Sequence, residues 1–282
     1  MEILSSPNND KVKNVARLLT SPKERKYAGL YVVEGRRMVQ EIPEDLLEAI
    51  YFTEDFYNKH VVGNERLEKL TESAAKREKS YIVSGNVMKK MSNTETPQGI
   101  LATVRIVNYD LTELLGDKNQ TPLILILERL QDPGNVGTII RSAEGAGVTG
   151  ILVSYDSVDI YSPKVVRSTM GSIFRKNITV TYDLIGDVNK LRKMGIKIYA
   201  THLNGSSMYD ADLTQPVAFL IGNEGAGLSN EASRTASRLI KIPMKGEVES
   251  LNAAVSATLV CYEALRQREE ANKVDISAIM NM

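Results

Sequence analysis

The sequence has one cysteine, two histidines and no surplus of charge, with 35 Lys and Arg balancing 35 Asp and Glu over 282 residues. A lone cysteine, Cys261 within an apolar stretch, excludes a disulfide framework or a clustered zinc site and suits a reducing compartment. Its expected role is that of a buried structural thiol. His60 and His202 are isolated from each other in sequence, so no metal is expected. The even charge count removes a global field as a source of nucleic-acid affinity, and any such contact must come from a local patch. No run approaches the roughly 20 apolar residues that span a bilayer, and the opening MEILSSPNNDKVKNV lacks the apolar centre of a secretory leader. The expected location is the cytoplasm. Internal repeats and low-complexity segments are lacking too.

What is there is an apolar fraction of 43%, ample for two compact domains with real cores. Residues 1–107 alternate short β-rich runs (Leu30 to Val33, Ala49 to Phe52, Tyr81 to Val83, Ile100 to Val107) with helical patterns at Val12 to Leu19 and Arg66 to Lys76. They predict a small α/β domain. Residues 108–121 are polar and turn-rich, without a sustained period, and are expected to be the linker. From residue 122 to 282 a second α/β domain is predicted. Its run Leu123 to Leu127 is apolar throughout, the mark of a strand covered on both faces in a parallel sheet. Further strand-like runs follow at Ile151 to Val153, Ile178 to Val180, Ile196 to Ala200, Val217 to Ile221 and Leu239 to Ile242. Helix starts between them are marked by Ser162-Pro163 and Ser229, and Val136, Ile139, Ile140 and Ala143 share one helix face. In such folds, ligands sit beyond the carboxyl ends of the strands.

Three segments put glycines or polar residues just after a buried strand. The first, Gln131-Asp-Pro-Gly-Asn-Val-Gly137, leads into a helix with Arg141 and Glu144, whose spacing of three lets them pair. Asn135 falls near the helix start, where backbone donors are free. In the second, Ile221-Gly-Asn-Glu-Gly-Ala-Gly-Leu-Ser229, three glycines let the backbone approach a flat ligand. Neither the dinucleotide pattern Gly-x-Gly-x-x-Gly nor a Walker ending is present, so phosphate cradling is disfavoured, and Glu224 would repel a phosphate. The third, Ile242-Pro-Met-Lys-Gly-Glu-Val-Glu-Ser-Leu-Asn252, precedes a helix from Ala253 to about Glu269. Ser250 reads as its N-cap or the residue before it, with Asn252 in the first turn. Each segment alone is compatible with an ordinary turn or cap.

Taken together, in this order and at these intervals, the three segments resemble the three motifs of the SpoU/TrmH family of SPOUT methyltransferases. The resemblance runs from Leu123 to about Leu265 and includes Lys164-Val-Val-Arg-Ser-Thr-Met-Gly-Ser172. A shorter match, through Tyr31-Val-Val-Glu-Gly-Arg-Arg37 and Thr96-Pro-Gln-Gly-Ile100, resembles that family's substrate-binding domain. The resemblance implies a trefoil-knotted second domain, a homodimer, and S-adenosyl-L-methionine as cofactor. On matching positions, the cofactor is expected against Gly222, Ile242 and Leu251, with Thr201, Asn223, Glu224, Gly225 and Met244 close by.

The reaction it implies is methylation of a ribose 2′-hydroxyl in a structured RNA, most simply ribosomal RNA. The family's base is the arginine matching Arg141, with Asn135 positioning it and Glu224, Ser250 and Asn252 orienting arginine and ribose. A guanidinium rarely accepts a proton, so holding the RNA phosphate and a developing alkoxide is an equally physical role for Arg141. RNA binding is expected from the basic surplus before residue 40, above all Arg36 and Arg37, continued by Arg167 and Arg175 on the second domain. Alternatives within the same fold are a transfer-RNA ribose methyltransferase, a base methyltransferase and a non-catalytic RNA-binding relative. A nicotinamide enzyme would need the missing glycine turn.

Overall fold

In the computed structural model, contacts divide the chain into two compact units, one of Met1–Val107 with Asp159–Phe174 and one of Asn108–Val158 with Arg175–Met282. The structure describes residues 1–280, with side chains through residue 273.

The first unit is built on β1 (Glu2–Leu4), β2 (Leu30–Glu34), β3 (Leu47–Phe52), β4 (Ser80–Val83) and β5 (Ile100–Arg105), in the order β1-β4-β3-β5-β2. β1, β4 and β3 are parallel, and β5 runs antiparallel to β3 and β2. Around the sheet lie α1 (Asp10–Thr20), α2 (Pro22–Ala28), α3 (Arg36–Gln40), α4 (Glu54–Phe56), α5 (Glu65–Lys76) and α6 (Gly85–Lys90). α1 forms because Val12, Val15, Leu18 and Leu19 fall on one face, and Asn9 caps it by accepting from the Lys11 amide. That face shares a core with Tyr51, Tyr81 and Leu101. β1 was not foreseen: three residues, of which only Leu4 is buried, are too few to show an alternation.

The second unit carries β6 (Leu123–Leu127), β7 (Gly150–Ser154), β8 (Asn177–Thr181), β9 (Lys197–Ser207), β10 (Val217–Ile221) and β11 (Arg238–Lys241). They form one sheet in the order β11-β9-β10-β6-β7-β8, and every pair is parallel. β6, β7 and β10 are buried at every position, as their unbroken apolar runs require when helices cover both faces. The helices along this part of the chain are α7 (Pro133–Gly145), α8 (Pro163–Ser168), α9 (Leu184–Lys193), α10 (Asn230–Thr235) and α11 (Ala253–Met280). α8 lies in the segment that groups with the first unit.

Three local differences from the sequence reading bear on the site. Residues 108–121, expected as a linker, group with the second unit, where Leu114 of the 3₁₀ turn Leu111–Leu115 is fully buried. β9 runs on past Ala200, because its pairing with β11 jumps from Leu239↔Ala200 to Ile240↔Ser206. The intervening residues, starting Thr201-His202-Leu203, bulge out at the carboxyl end of the sheet. Gly205 makes the re-pairing possible, since a Cβ there would lie 2.5 Å from the Ile240 carbonyl carbon. The cap of α11 is Asn252 rather than Ser250: its Oδ1 accepts from the amides of Ala254 at 2.8 Å and Val255 at 3.3 Å.

Candidate active site

Beyond the carboxyl ends of β9, β10 and β11 a cleft of about 330 Å³ opens, within the second unit. Three chain segments line it: the β9 bulge (Thr201, His202, Leu203), the loop after β10 (Gly222 to Leu228) and the stretch after β11 (Ile242, Met244, Ser250, Leu251). Thr201 is anchored by its hydroxyl, which donates to the Leu220 carbonyl at 2.9 Å. The glycine loop is closed on itself. Asn223 and Gly227 exchange backbone hydrogen bonds at 3.1 and 3.0 Å, and Asn223 Oδ1 accepts from the Gly225 and Ala226 amides, both at 2.9 Å. Gly222 has no room for a side chain: a Cβ there would stand 2.3 Å from the Leu228 nitrogen. The loop's far end is fixed by Glu128, a buried carboxylate at the end of β6, which accepts from the Ser229 amide at 2.8 Å.

At the rim, the three sequence motifs meet in one hydrogen-bonded chain. Glu224 Oε1 accepts from Asn135 Nδ2 at 3.1 Å and from the Asp132 amide at 3.2 Å, and Oε2 accepts from the Gln131 amide at 3.2 Å. Asn135 Oδ1 in turn accepts from Asn252 Nδ2 at 2.9 Å. Asn135 is held in place because α7 begins where it must: Asp132 caps the helix by accepting from the Asn135 amide at 2.7 Å, and Pro133 takes the first turn. Partial burial acts to raise the Glu224 pKa, but donation from Asn135 and from the backbone outweighs it. The carboxyl titrates below its ordinary value and stays ionised.

All eight candidate cofactor residues, Thr201, Gly222, Asn223, Glu224, Gly225, Ile242, Met244 and Leu251, line this one cleft, and Ser250 joins them. Asn135 and Asn252 attach to it through Glu224. Arg141 stands apart. It is exposed on α7, six residues beyond Asn135 and so about 9 Å along the helix axis, and among the described residues it makes no hydrogen bond or ion pair. The expected Arg141–Glu144 pairing does not form, because Glu144 faces Arg175 and pairs with it instead.

Comparison with known proteins places these features in a family. Residues 122–262 match the SpoU rRNA Methylase family, and residues 9–102 match the MRM3-like substrate binding domain. The chain belongs to the SpoU methylase family. Among its SpoU-type relatives, an uncharacterized tRNA/rRNA methyltransferase of Synechocystis is 33% identical over 95% of both chains. A 23S rRNA (guanosine(2553)-2'-O)-methyltransferase of Bacillus subtilis is 29% identical over 93% of this chain and 98% of the relative. The AdoMet-bound rRNA methyltransferase from Sinorhizobium meliloti superposes with a TM-score of 0.80 at 29% identity, covering 94% of this chain and 97% of that one.

In this SpoU chain the structure also shows site residues that the sequence reading passed over. Ala226, Leu228, Lys241 and Ser256 line the cleft, and they are joined by His202, which its place just past a predicted strand already marks as a pocket-edge candidate. The apolar members carry no chemical signal, and His202 reaches the cleft only through the β9 bulge. Glu128 had a signal that went unread, an acidic residue at the end of a fully apolar strand.

The candidate RNA-binding arginines lie on the first unit. Arg36 and Arg37 open α3; Arg37 is exposed, and Arg36 Nη1 is 3.3 Å from His60 Nδ1. Arg167, expected on the second domain, groups with the first unit, where it lines a small crevice with Glu34 and Met38. Two members of the expected basic track are engaged elsewhere. Arg25 is buried on Asp159, its Nη2 2.6 Å from the carboxylate, and Arg175 is held by Glu144.

Proposed function

We propose that this chain transfers the methyl group of S-adenosyl-L-methionine to the 2′-hydroxyl of one nucleotide in ribosomal RNA. The observation that carries the reading is the Glu224–Asn135–Asn252 chain, which joins all three motifs at the rim of a cleft sized for a small molecule.

The residues present fit the cofactor. Ile221, Leu228, Ile242, Met244 and Leu251 provide apolar walls for an adenine, and the lack of a side chain at Gly222 leaves main-chain groups accessible to its edge. Thr201, His202 and Asn223 supply polar groups at the same cleft. When bound, S-adenosylmethionine brings a sulfonium methyl already activated for displacement. What remains for the protein is to present and activate an oxygen.

Asn135 and Asn252 fix each other and hold the ionised Glu224, whose Oε2 accepts only from the Gln131 amide among the described residues and keeps capacity to accept from a ribose hydroxyl. Arg141, whose donors are uncommitted among the described residues, holds the RNA phosphate and the developing alkoxide. A guanidinium with a reference pKa above 12 serves better as a donor than as a base, so the proton passes to the phosphate or solvent beside it.

The reading extends to a homodimer and a trefoil knot. For the homodimer, Val255, Leu259 and Tyr262 recur on one face of α11 and are 38–47% exposed, an apolar stripe suited to a second copy. For the knot, the support is that the segment after β11 returns to the β9 bulge and the β10 loop to close one cleft. Arg36, Arg37 and Arg167 would hold the RNA backbone. A cytoplasmic site of action accords with the uncapped thiol of Cys261; no helix among the described residues is long and apolar enough to cross a membrane.

The test is transfer of labelled methyl from S-adenosylmethionine to total RNA from a strain lacking this gene, with ribose methylation mapped by alkali resistance. A single resistant ribosomal site, absent with Arg141→Ala, is the expected result. Label on a base, or on transfer RNA alone, would overturn it.

A further inference from the structure

Outside the cleft, two exposed tyrosines stand side by side at the same carboxyl edge of the parallel sheet. Tyr155 directly follows β7 and Tyr182 directly follows β8; their ring centroids are 4.2 Å apart, with 31° between the planes. They are 58% and 66% exposed. Rings this open to water contribute little to a core, and pairing them builds one broad aromatic surface.

Position separates this pair from the other exposed aromatics. β6, β7 and β8 are adjacent in the sheet, so the tyrosines stand one and two strands from the loop that leads to Asn135, about 5–10 Å at ordinary strand spacing. The loop after β7 is also bonded to that reaction loop along its length. The Arg129 amide donates to Ser154 Oγ at 2.9 Å, the Leu130 amide to Ser157 Oγ at 3.1 Å, and Gln131 Nε2 to the Asp156 carbonyl at 2.8 Å. The Val158 amide returns a bond to the Leu130 carbonyl at 2.8 Å. Gln131 is the residue whose own amide binds Glu224. On the other side, the Tyr155 amide donates to the Thr181 carbonyl at 2.8 Å, which fixes Tyr155 against the start of the Tyr182 turn.

We propose that Tyr155 and Tyr182 form a stacking platform for an unpaired base of the substrate RNA, one or two nucleotides from the ribose that receives the methyl group. The inference rests on RNA methyl transfer as the activity of the adjacent cleft. Exposing a 2′-hydroxyl to such a cleft requires a splayed strand, and a splayed strand loses the stacking of its bases. Aromatic side chains restore that stacking without regard to base identity.

The experiment measures methyl transfer to total RNA from a strain lacking the gene, as a function of RNA concentration, for the wild type and three double variants. Replacing both tyrosines by alanine, or both by leucine, is expected to raise KM for RNA about ten-fold or more while affinity for labelled S-adenosylmethionine is unchanged. Replacing both by phenylalanine should keep KM near the wild-type value, because the π-faces remain. The leucine pair retains apolar bulk and decides the matter if the alanine pair folds poorly. No transfer by the wild type would overturn the RNA methyl-transfer reading and the platform with it. Transfer with KM unchanged in the leucine pair, or a phenylalanine pair as impaired as the leucine pair, would overturn the platform alone.

Discussion

Asn252 Nδ2 donates to Asn135 Oδ1 at 2.9 Å, joining residues 117 positions apart in sequence. The same Asn252 caps α11 through its Oδ1, so one side chain sets both a helix start and the site's rim. Its two jobs separate by substitution. Asn252→Ala should lose about 1 kcal/mol of stability with the cap and also lower methyl transfer. Asn252→Asp should keep the cap and its stability, since a carboxylate still accepts from the helix amides, yet lower kcat about ten-fold by ending the donation to Asn135. Thermal melting beside kcat checks this; an aspartate variant with full activity would remove the Asn135 contact from the mechanism.

Glu224 carries a pH signature. Burial acts to raise its pKa, and the Asn135 and backbone donors lower it further than burial raises it, leaving it net depressed. A depressed carboxyl contributes stability that is present above the unfolded value, near 4.3–4.5, and is lost as pH falls through the lower folded value. Glu224→Gln lacks this contribution. Its melting temperature should therefore lie below that of the wild type at pH 7, with the gap closing as pH drops below about 4.5. A gap of constant size from pH 7 to pH 3 would show that the carboxylate charge is not what the donors hold.

Arg141 is exposed and makes no hydrogen bond or ion pair among the described residues, so its loss should leave the fold alone. Arg141→Ala is expected to melt within about 0.5 kcal/mol of the wild type and to bind S-adenosylmethionine normally, while methyl transfer falls about 100-fold or more. Arg141→Lys, which keeps charge but not the planar fork, should recover only part of the rate. Full activity in the alanine variant would make the arginine incidental.

Gly222 tests the cleft itself. A methyl group there meets the backbone of Leu228 and Gly227, which cannot turn aside as a flexible side chain could. Gly222→Ala should push the loop outward and weaken S-adenosylmethionine binding at least ten-fold by calorimetry. Gly246→Ala, in the stretch after β11 but outside the cleft lining, with nothing within 4 Å of the added Cβ, is the matched control and should bind nearly normally.

Much of this was written locally in the chain. Runs such as Leu123–Leu127 and Val217–Ile221 report a two-sided burial that only a central parallel strand experiences, and Asp132-Pro133 marks the start of α7. Most residues that line the cleft were identifiable because they sit just after such strands, in motifs with a family's order and spacing. Three-residue β1, the cap at Asn252 and the extension of β9 were not legible. Each depends on what the segment meets in space: β4, the rim of the site, and a re-paired β11.

The sequence by itself determined the strand and helix inventory and the chemical groups the site would use, because burial periodicity and turn chemistry act over a few residues. Only the tertiary structure decided which groups touch. Glu144 went to Arg175 rather than Arg141, segment 159–174 went to the first unit with Arg167, and two ordinary tyrosines were set beside each other on adjoining strand ends. The physical reason is that strand order is not chain order: β6 lies between β10 and β7, so loops far apart in sequence leave the same edge of the sheet.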